Sequence, residues 1–562
     1  IKNITNLQSQ LKTKNLSKEL LTEAKQMGES DINIAKLTKK SPEEITKMRV
    51  KENIHPYAKQ IDTLAAEYPA QTNYLYLTYN GNTDDIVASH SKLKNPKILI
   101  LGSGPYRIGS SVEFDWCCVT SAQTAKTSGF SPIVINCNPE TVSTDYDMAD
   151  KLYFEELSAE TIEEIYKKEN PAGIIVSMGG QRPNNLTPTL SKLNLKILGT
   201  TPSSIDRAED RNKFSKLCDE LNIAQPPWAS LKDTKSALSF AKNIGYPILV
   251  RPSYVLSGAA MNVAFNDQDL ELYLKEAARV SKDQPVVISK YFQNAKELEV
   301  DAVADGGTIL CQAISEHVEN AGVHSGDSTI VLPAQKLYVH TVKKVKETAA
   351  KIAKNLEITG PFNIQFLAIE NEIMVIECNL RASRSLPFVS KVLGTNYAKI
   401  ATEAILDRNP PSQQGKKLPT HYVGVKAPQF SFSRIKGADP ILRVEMSSTG
   451  EVACFGDDVY EAFLKSIIAT GTALPKKSVF ISLAGDENKA KFLASAKILH
   501  GLGLKIYATA GTSAYLNKNG VKAEMLYKIY EKKKPNVLDV LNTKKVDLVI
   551  NCLLYTSPSP RD

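Results

Sequence analysis

From Lys97 onward short apolar runs alternate with helix-length segments, and this rhythm restricts the fold more than any other feature of the chain. Lys97-Ile98-Leu99-Ile100-Leu101 reads as a buried strand that ends in Gly102-Ser103-Gly104, and further strands are expected at 132–136, 173–177 and 196–198. Strands joined by helical crossovers pair in parallel, so residues 91–205 read as a parallel α/β unit. Residues 1–90 read as helical. Ser17 can cap a helix that stops at Gly28, and Ser41-Pro42-Glu43-Glu44 carries Pro at the first helical position and Glu at the third, a capping box. Turn chemistry at Tyr79-Asn80-Gly81-Asn82 ends that pattern. With few polar groups suited to chemistry, the segment reads as a packing or assembly element. Residues 206–410 form a larger α+β block. A polar loop, Pro410-Pro411-Ser412-Gln413-Gln414-Gly415, leads into a small mixed segment, 411–475. A last α/β unit, 476–551, has expected strands at 479–483, 505–508 and 546–550. Residues 552–562 contain Ser557-Pro558-Ser559-Pro560, where each proline removes a donor and fixes φ. They read as foreign to a unit that is cut short.

Composition narrows the class. Of 562 residues 42% are hydrophobic and 23% charged, which suits a globular protein and excludes disorder or a collagen-like fibre. A net charge of +8 is mild, and no basic block is interleaved with aromatics; the run Lys532-Lys533-Lys534 reads as a solvated loop. Nucleic-acid binding is therefore not expected. No apolar run approaches the ~20 residues of a membrane span. The eight cysteines include no C-x-x-C pair, which speaks against a disulfide framework and for a reducing compartment. The chain opens on Ile1, with no leader visible.

Three candidates carry chemistry, the second of them in two parts, at Arg251 and at Glu316–Ser328. Gly102-Ser103-Gly104-Pro105-Tyr106-Arg107-Ile108-Gly109 follows a strand and precedes a helix, so its amides can approach an anion. It reads equally as a tight turn without a ligand, and Asn138 stands where a dinucleotide site needs an acidic residue. Arg251 leads into the small-residue loop Ser253–Ala260, suited to folding over phosphates or else a plain hairpin loop. The polar run Glu316–Ser328 has two glycines and reads as a site loop. Its His317 and Glu319 have no third ligand at a zinc-like spacing.

The third candidate is the most informative. Asn363–Ile369 and Ile373–Asn379 read as two strands joined by Glu370-Asn371-Glu372. A hairpin centred on Asn371 sets Gln365 opposite Glu377, and the strand period of two puts Asn379 on the same face. A carboxylate and two amide oxygens then converge, hard donors suited to Mg²⁺ or Mn²⁺ shared with nucleotide phosphates. Arg381 and Arg384 follow at once, cations suited to a transferring phosphoryl group. An exposed polar sheet face explains any one of these residues, but explains five within twenty positions poorly.

These residues resemble the second half of the carbamoyl-phosphate synthetase large chain. The resemblance rests on GSGPYRIGSSVEFDW (102–116), NCNPETVSTDYD (136–147), SMGGQRPNNL (177–186), RPSYVLSGAAMNV (251–263), EHVENAGVHSGDS (316–328), and FNIQF with IECNLRASRSLPFVSK (362–391). It runs from about residue 50 to 551 and is nearest the eukaryotic fused or ammonia-using forms, as in PILRVEMSSTGEVACFG (440–456). It implies a helical oligomerisation-type segment, a pre-ATP-grasp α/β domain, an ATP-grasp domain with its C-terminal segment, and a truncated methylglyoxal-synthase-like allosteric domain. By resemblance, ATP lies between two lobes of residues 206–406. Arg211 and Arg251 contact its phosphates, and Lys290, Phe292 and Glu297 hold adenine and ribose. Gly322, Val323, His324 and Ser325 form a covering loop expected to close over the nucleotide. Gln365, Glu377 and Asn379 match the metal ligands. Arg381 and Arg384, with Arg251, match the catalytic arginines. The implied reaction is phosphorylation of carbamate by ATP, feeding pyrimidine or arginine and urea synthesis, in the cytoplasm or the mitochondrial matrix. In the last unit Lys489, Thr509, Thr512 and Lys528 match a site for a small anionic effector, although a Thr-capped helix explains Thr509 and Thr512 as well. The Trp-Pro that the ammonia-activated form carries near Lys528 is absent, which weakens an acetylglutamate effector. Implied partners are an N-terminal synthetase half absent from these residues, a glutaminase subunit or domain, and a second copy of the chain.

Three other readings stay open. A nicotinamide-dependent oxidoreductase would use the 102–109 turn. A biotin-carboxylase-like ATP-grasp enzyme would share the nucleotide site, although NPETVSTDYD and the effector-like tail disfavour it. A silent regulatory half would have no reason to keep Gln365, Glu377, Asn379, Arg381 and Arg384 together.

Overall fold

The structure is a computed structural model. It describes the chain except residues 62–73, 86–94, 232, 253–260, 281–285, 293–294, 414–417, 420, 433–436, 438–441, 443–445 and 553–562. The loop expected over phosphates at 253–260 and the Ser-Pro end at 557–560 thus lie outside the described residues, as do Gln414 and Gly415 of the polar loop. Two compact units are present, Ile1–Ser466 and Ile467–Asp562.

The first unit opens with four helices, α1 (Lys2–Thr13), α2 (Lys18–Gln26), α3 (Asp31–Thr38) and α4 (Pro42–Lys51). Ser17 and Ser30 accept from backbone amides at the starts of α2 and α3, and the Ser41–Glu44 capping box opens α4. The helical reading to residue 90 fails beyond this point. β1 (Tyr57–Gln60) and β2 (Tyr74–Thr78) pair antiparallel and join the sheet that follows. The alternating Tyr74-Leu75-Tyr76-Leu77 favours a half-buried strand; Leu75 is fully buried, and Tyr74 and Leu77 pack against the core.

That sheet continues with β3 (Lys97–Leu101), β4 (Ser131–Ile135), β5 (Lys151–Tyr153) and β6 (Gly173–Ile175), in the order β1-β2-β5-β4-β3-β6. β2 to β6 are parallel, and helices α5 (Val112–Thr127) and α6 (Ala159–Glu169) supply crossovers. The strand expected at 196–198 is a single bridge, Ile174 to Ile197.

A small four-stranded sheet follows, β7 (Trp228–Leu231), β8 (Ile248–Pro252), β9 (Asn262–Ala264) and β10 (Val286–Lys290), ordered β7-β10-β8-β9. It has its own apolar core, with Ile248, Val250 and Ile288 fully buried. The large sheet has seven strands: β11 (Lys296–Asp305), β12 (Thr308–Asn320), β13 (Ile330–Leu332), β14 (Gly360–Ile369), β15 (Glu372–Asn379), β16 (Val423–Gln429) and β17 (Gly450–Gly456), in the order β15-β14-β11-β12-β13-β16-β17. β16 and β17 come from the small mixed segment after residue 410, and they extend this sheet. One core runs from Leu99 and Ile133 of the parallel sheet to Ile364 and Phe366 of the large one.

The second unit holds a four-stranded parallel sheet, β18 (Ser478–Leu483), β19 (Lys505–Thr509), β20 (Ala523–Leu526) and β21 (Leu548–Cys552), ordered β20-β19-β18-β21. All eight cysteines are free. No described helix is long and apolar enough to cross a membrane.

Candidate active site

The hairpin β14–β15 carries Gln365 opposite Glu377 and Asn363 opposite Asn379. The register arises differently from the expectation. The turn is two residues, Glu370-Asn371, with Glu370 at φ +55°, and near it the pairs are Ile369–Glu372 and Phe366–Val375. A bulge at Ile376 then adds the residue that the shorter turn left out. The bulge also frees a carbonyl: Arg211 Nη1 donates to Ile376 O at 2.5 Å, and its Nη2 donates to Glu377 Oε2 at 2.9 Å. Glu377 Oε1 accepts from Asn379 Nδ2 at 3.1 Å, and Asn379 Oδ1 accepts from Arg381 at 3.3 Å. Gln365 Nε2 donates to Ser325 Oγ at 2.8 Å, which leaves Oε1 as the end that can meet a cation.

Around this hairpin lies a cavity of about 440 Å³. Every nucleotide, metal and arginine position expected from the sequence lines it: Arg211, Arg251, Lys290, Phe292, Glu297, Gly322, Val323, His324, Ser325, Gln365, Glu377, Asn379, Arg381 and Arg384. Its walls come from the small sheet (Leu249, Arg251, Ser289) and the large one (Glu297, Gln365, Glu377), and Arg107 to Ser110 of the glycine turn close one side. Lys290 is tied down there; its ammonium donates to the carbonyls of Gly245 and Tyr246.

The electrostatics select an anionic guest. Arg251 Nε is buried with no hydrogen-bond partner among the described residues. Burial first, then repulsion from Arg211, push the Arg251 guanidinium down to about 9. An orphaned buried donor on a cation is costly unless an anion completes it. Burial opposes ionisation of Glu377, yet Arg211 and Arg251 outweigh it and hold this carboxylate below its usual range. Glu297, buried beside Glu299 and Glu377, is pushed up to about 7, with His317 and Arg251 pulling the other way. Burial likewise lowers His324 and Arg381. A single carboxylate among amide oxygens fits a cation that brings its own phosphate ligands, as Mg²⁺ does. Among the described residues no group of three or more His, Cys, Asp or Glu forms a cage by itself. Glu319 is spent on Thr329, accepting from its amide at 2.7 Å and its hydroxyl at 2.9 Å.

Arg384 lines the cavity and is also held in an ion pair. Its Nε and Nη2 both donate to Glu113 Oε1, at 3.0 and 2.8 Å, and its Nη1 donates to Ser448. Glu113 already balances its charge. Arg381 makes no such ion pair among the described contacts; it donates to Gln181 Oε1 at 2.5 Å and to Ala382 O.

Two supporting residues went unread in the sequence. Glu299 and Asp301 alternate with Glu297 along β11, and they pair across from Gln365 and Asn363. Asp301 is fully buried, accepts from Asn363 and Ser383, and receives Ser385 at 2.7 Å, so it pins the residues on either side of Arg384. The spacing Glu-x-Glu-x-Asp was the available signal. Glu209, raised by burial, accepts from Gln181 and Asn184 and lies under Arg381.

In the second unit, Lys489 Nζ would lie 3.7 Å from a Cβ on Gly511, at the start of the helix Ala510–Lys518. Thr512 is structural in its contacts: its hydroxyl accepts from Leu483 N at 3.1 Å and donates to Leu483 O. Thr509 shares a bond with Thr512 and pairs with Leu526 in the ladder, so Lys528 leaves the same end of the sheet, where it stacks on Tyr530.

The fold and the cavity define an ATP-grasp protein. A crystal structure of a biotin carboxylase–β,γ-ATP complex from Campylobacter jejuni matches with a TM-score of 0.51 at 18% identity, covering 67% of this chain and 91% of that one. The large chain of carbamoyl-phosphate synthetase is the family to which this chain belongs. Its oligomerisation domain matches residues 1–53, its preATP-grasp domain 94–207 and its ATP binding domain 210–407; an MGS-like domain matches 491–562, across the tail set apart above. The multifunctional protein URA2 of Saccharomyces cerevisiae is 50% identical over 95% of this chain and 24% of its own length. The mitochondrial carbamoyl-phosphate synthase [ammonia] of Rattus norvegicus is 48% identical over 98% of this chain and 37% of its own. The chain thus spans about a quarter to just over a third of these relatives.

Proposed function

We propose that this chain phosphorylates carbamate with ATP to give carbamoyl phosphate and ADP. The observation that carries the reading is the convergence in one cavity of the Gln365–Glu377 pair with Arg211, Arg251 and Arg381, Arg251 keeping a buried donor without a partner among the described residues. No side-chain nucleophile is required. A carbamate oxygen attacks the γ-phosphorus, the bond to the bridging oxygen breaks, and ADP leaves with the electron pair. The protein supplies position and countercharge. Arg251 and Arg211 offset the phosphate charge, and Arg381, near Glu209 but in no ion pair among the described residues, faces the charge that builds on the transferring group. Arg384, balanced by Glu113, shapes that end of the cavity. Phe292 offers an apolar face to the base, and Glu297 a carboxylate to the ribose. The segment Gly322–Ser325 covers the phosphates and keeps water from a carbamate that decomposes in it. Gln365, Glu377 and Asn379 would hold Mg²⁺ or Mn²⁺, which when bound draws phosphate charge from the attacking oxygen.

A luciferase assay tests the reading in reverse: the chain should make ATP from ADP and carbamoyl phosphate with Mg²⁺. Well-folded protein that gives no light above background would count against it. A biotin-carboxylase-type ligase would in addition consume ATP to carboxylate free biotin with bicarbonate, which this chain should not do; a silent half would neither make nor consume ATP. The reading extends to a preceding synthetase half and a glutaminase as partners, self-association through residues 1–53, and a small anion at Lys489 and Thr509. Inorganic phosphate should slow amide exchange at 509–513.

A further inference from the structure

Residues Ala321 to Gly326 line the cavity as one continuous strap, and its far end, at Asp327, is well fastened. Asp327 accepts from the amides of Ser447 and Ser448, both at 2.8 Å, Ser448 donates to Gly326 O, and Gln365 donates to Ser325. Its near end depends on one side chain. Tyr291 Oη donates to Ala321 O at 2.8 Å. Tyr291 stands between Lys290 and Phe292, and its own amide donates to Pro247 O at 3.1 Å. One hydroxyl therefore joins the base side of the cavity to the strap over its phosphate side.

Gly322 is built around that hydroxyl. It holds φ +114°, and a Cβ there would lie 2.0 Å from Tyr291 Oη. Any side chain at 322 would drive the hydroxyl off the Ala321 carbonyl, so the glycine and the tyrosine form one fitted joint. Among the described residues, a second bond at this end runs from Ala321 N to Ala295 O.

We infer that Tyr291 is a positioning residue for nucleotide: its hydroxyl fixes the Ala321–Ser325 strap over the cavity, so it sets affinity for ATP and leaves the phosphoryl step alone. This rests on the nucleotide reading above. Tyr291→Phe removes one oxygen and keeps the ring. In the whole chain it should raise the KM for ATP about fivefold, the worth of one ordinary hydrogen bond, while kcat changes by less than about twofold. Amide exchange at 321–325 without nucleotide should quicken by a similar factor. An unchanged KM with unchanged exchange, or a fall in kcat at constant KM, overturns the proposal. Wild-type chain that binds no ATP in a direct titration would sink the nucleotide reading instead, and the exchange measurement then decides the tether by itself.

Discussion

At Glu377, burial and charge pull in opposite directions, and charge wins. Arg211 and Arg251 keep the carboxylate ionised below its usual range, so it remains an anion at any pH where the protein works. Glu377→Gln removes that charge without changing shape. Phosphoryl transfer should fall by several orders of magnitude with the melting curve unmoved, and near-normal turnover would take Glu377 out of the site. Glu297 behaves oppositely. Held up to about 7, it gains its charge as pH rises through that value, so the affinity of wild type for ATP should climb across this range relative to Glu297→Gln. Comparing the two pH profiles of Kd cancels the titration of ATP itself. Glu377 was legible as a candidate from the hairpin that sets it opposite Gln365, whereas Glu297 was read from the family resemblance alone. What Arg384 touches was not legible. Its partner Glu113 lies 271 positions away, and no local pattern encodes that distance.

Among the elements, the hairpin at 360–379 and the first helices teach different lessons. The facing pair was anticipated from a three-residue turn, and it arises from a two-residue turn plus a bulge. Two local features offset one another, and only the ladder shows it. The helices were read from their caps, which act within one turn, but what holds them lies elsewhere. Buried Asp31 accepts from Lys25 at 2.9 Å, Thr46 at 2.9 Å and Arg49 at 3.1 Å; Lys25 continues to Glu160, and Arg49 to Glu164 at 2.9 Å, both on α6. Asp31→Ala would take one of two carboxylates from each of two buried cations and should cost about 3 kcal/mol, seen as early melting of residues 1–53. Burial opposes the charge on Asp31, but Lys25 and Arg49 prevail and lower it. A depressed carboxylate gives stability above its unfolded pKa and loses it as pH falls through the folded one. The helices should therefore hold to below pH ~4 and come apart beneath it, as circular dichroism would report.

On the scale of the whole molecule, the two units carry separate cores and separate candidate sites. ATP with Mg²⁺ at a hundred times its Kd should stabilise the first unit by about 2.7 kcal/mol and leave the second unmoved. Calorimetry with and without nucleotide should show one transition shifting while the other stays. A shift in both would mean that nucleotide is also bound by the second unit.

The sequence by itself determined the strand–helix rhythm, the helix caps, the facing Gln365 and Glu377, and the family. Each depends on residues a few positions apart or on a word long enough to be specific. Tertiary structure alone decided that β1 and β2 join the parallel sheet, that β16 and β17 complete the large one, that Glu113 claims Arg384, and that Tyr291 meets Gly322. Those pairings depend on edges and charges brought together by packing, and packing is a property of the folded chain that no stretch of it contains.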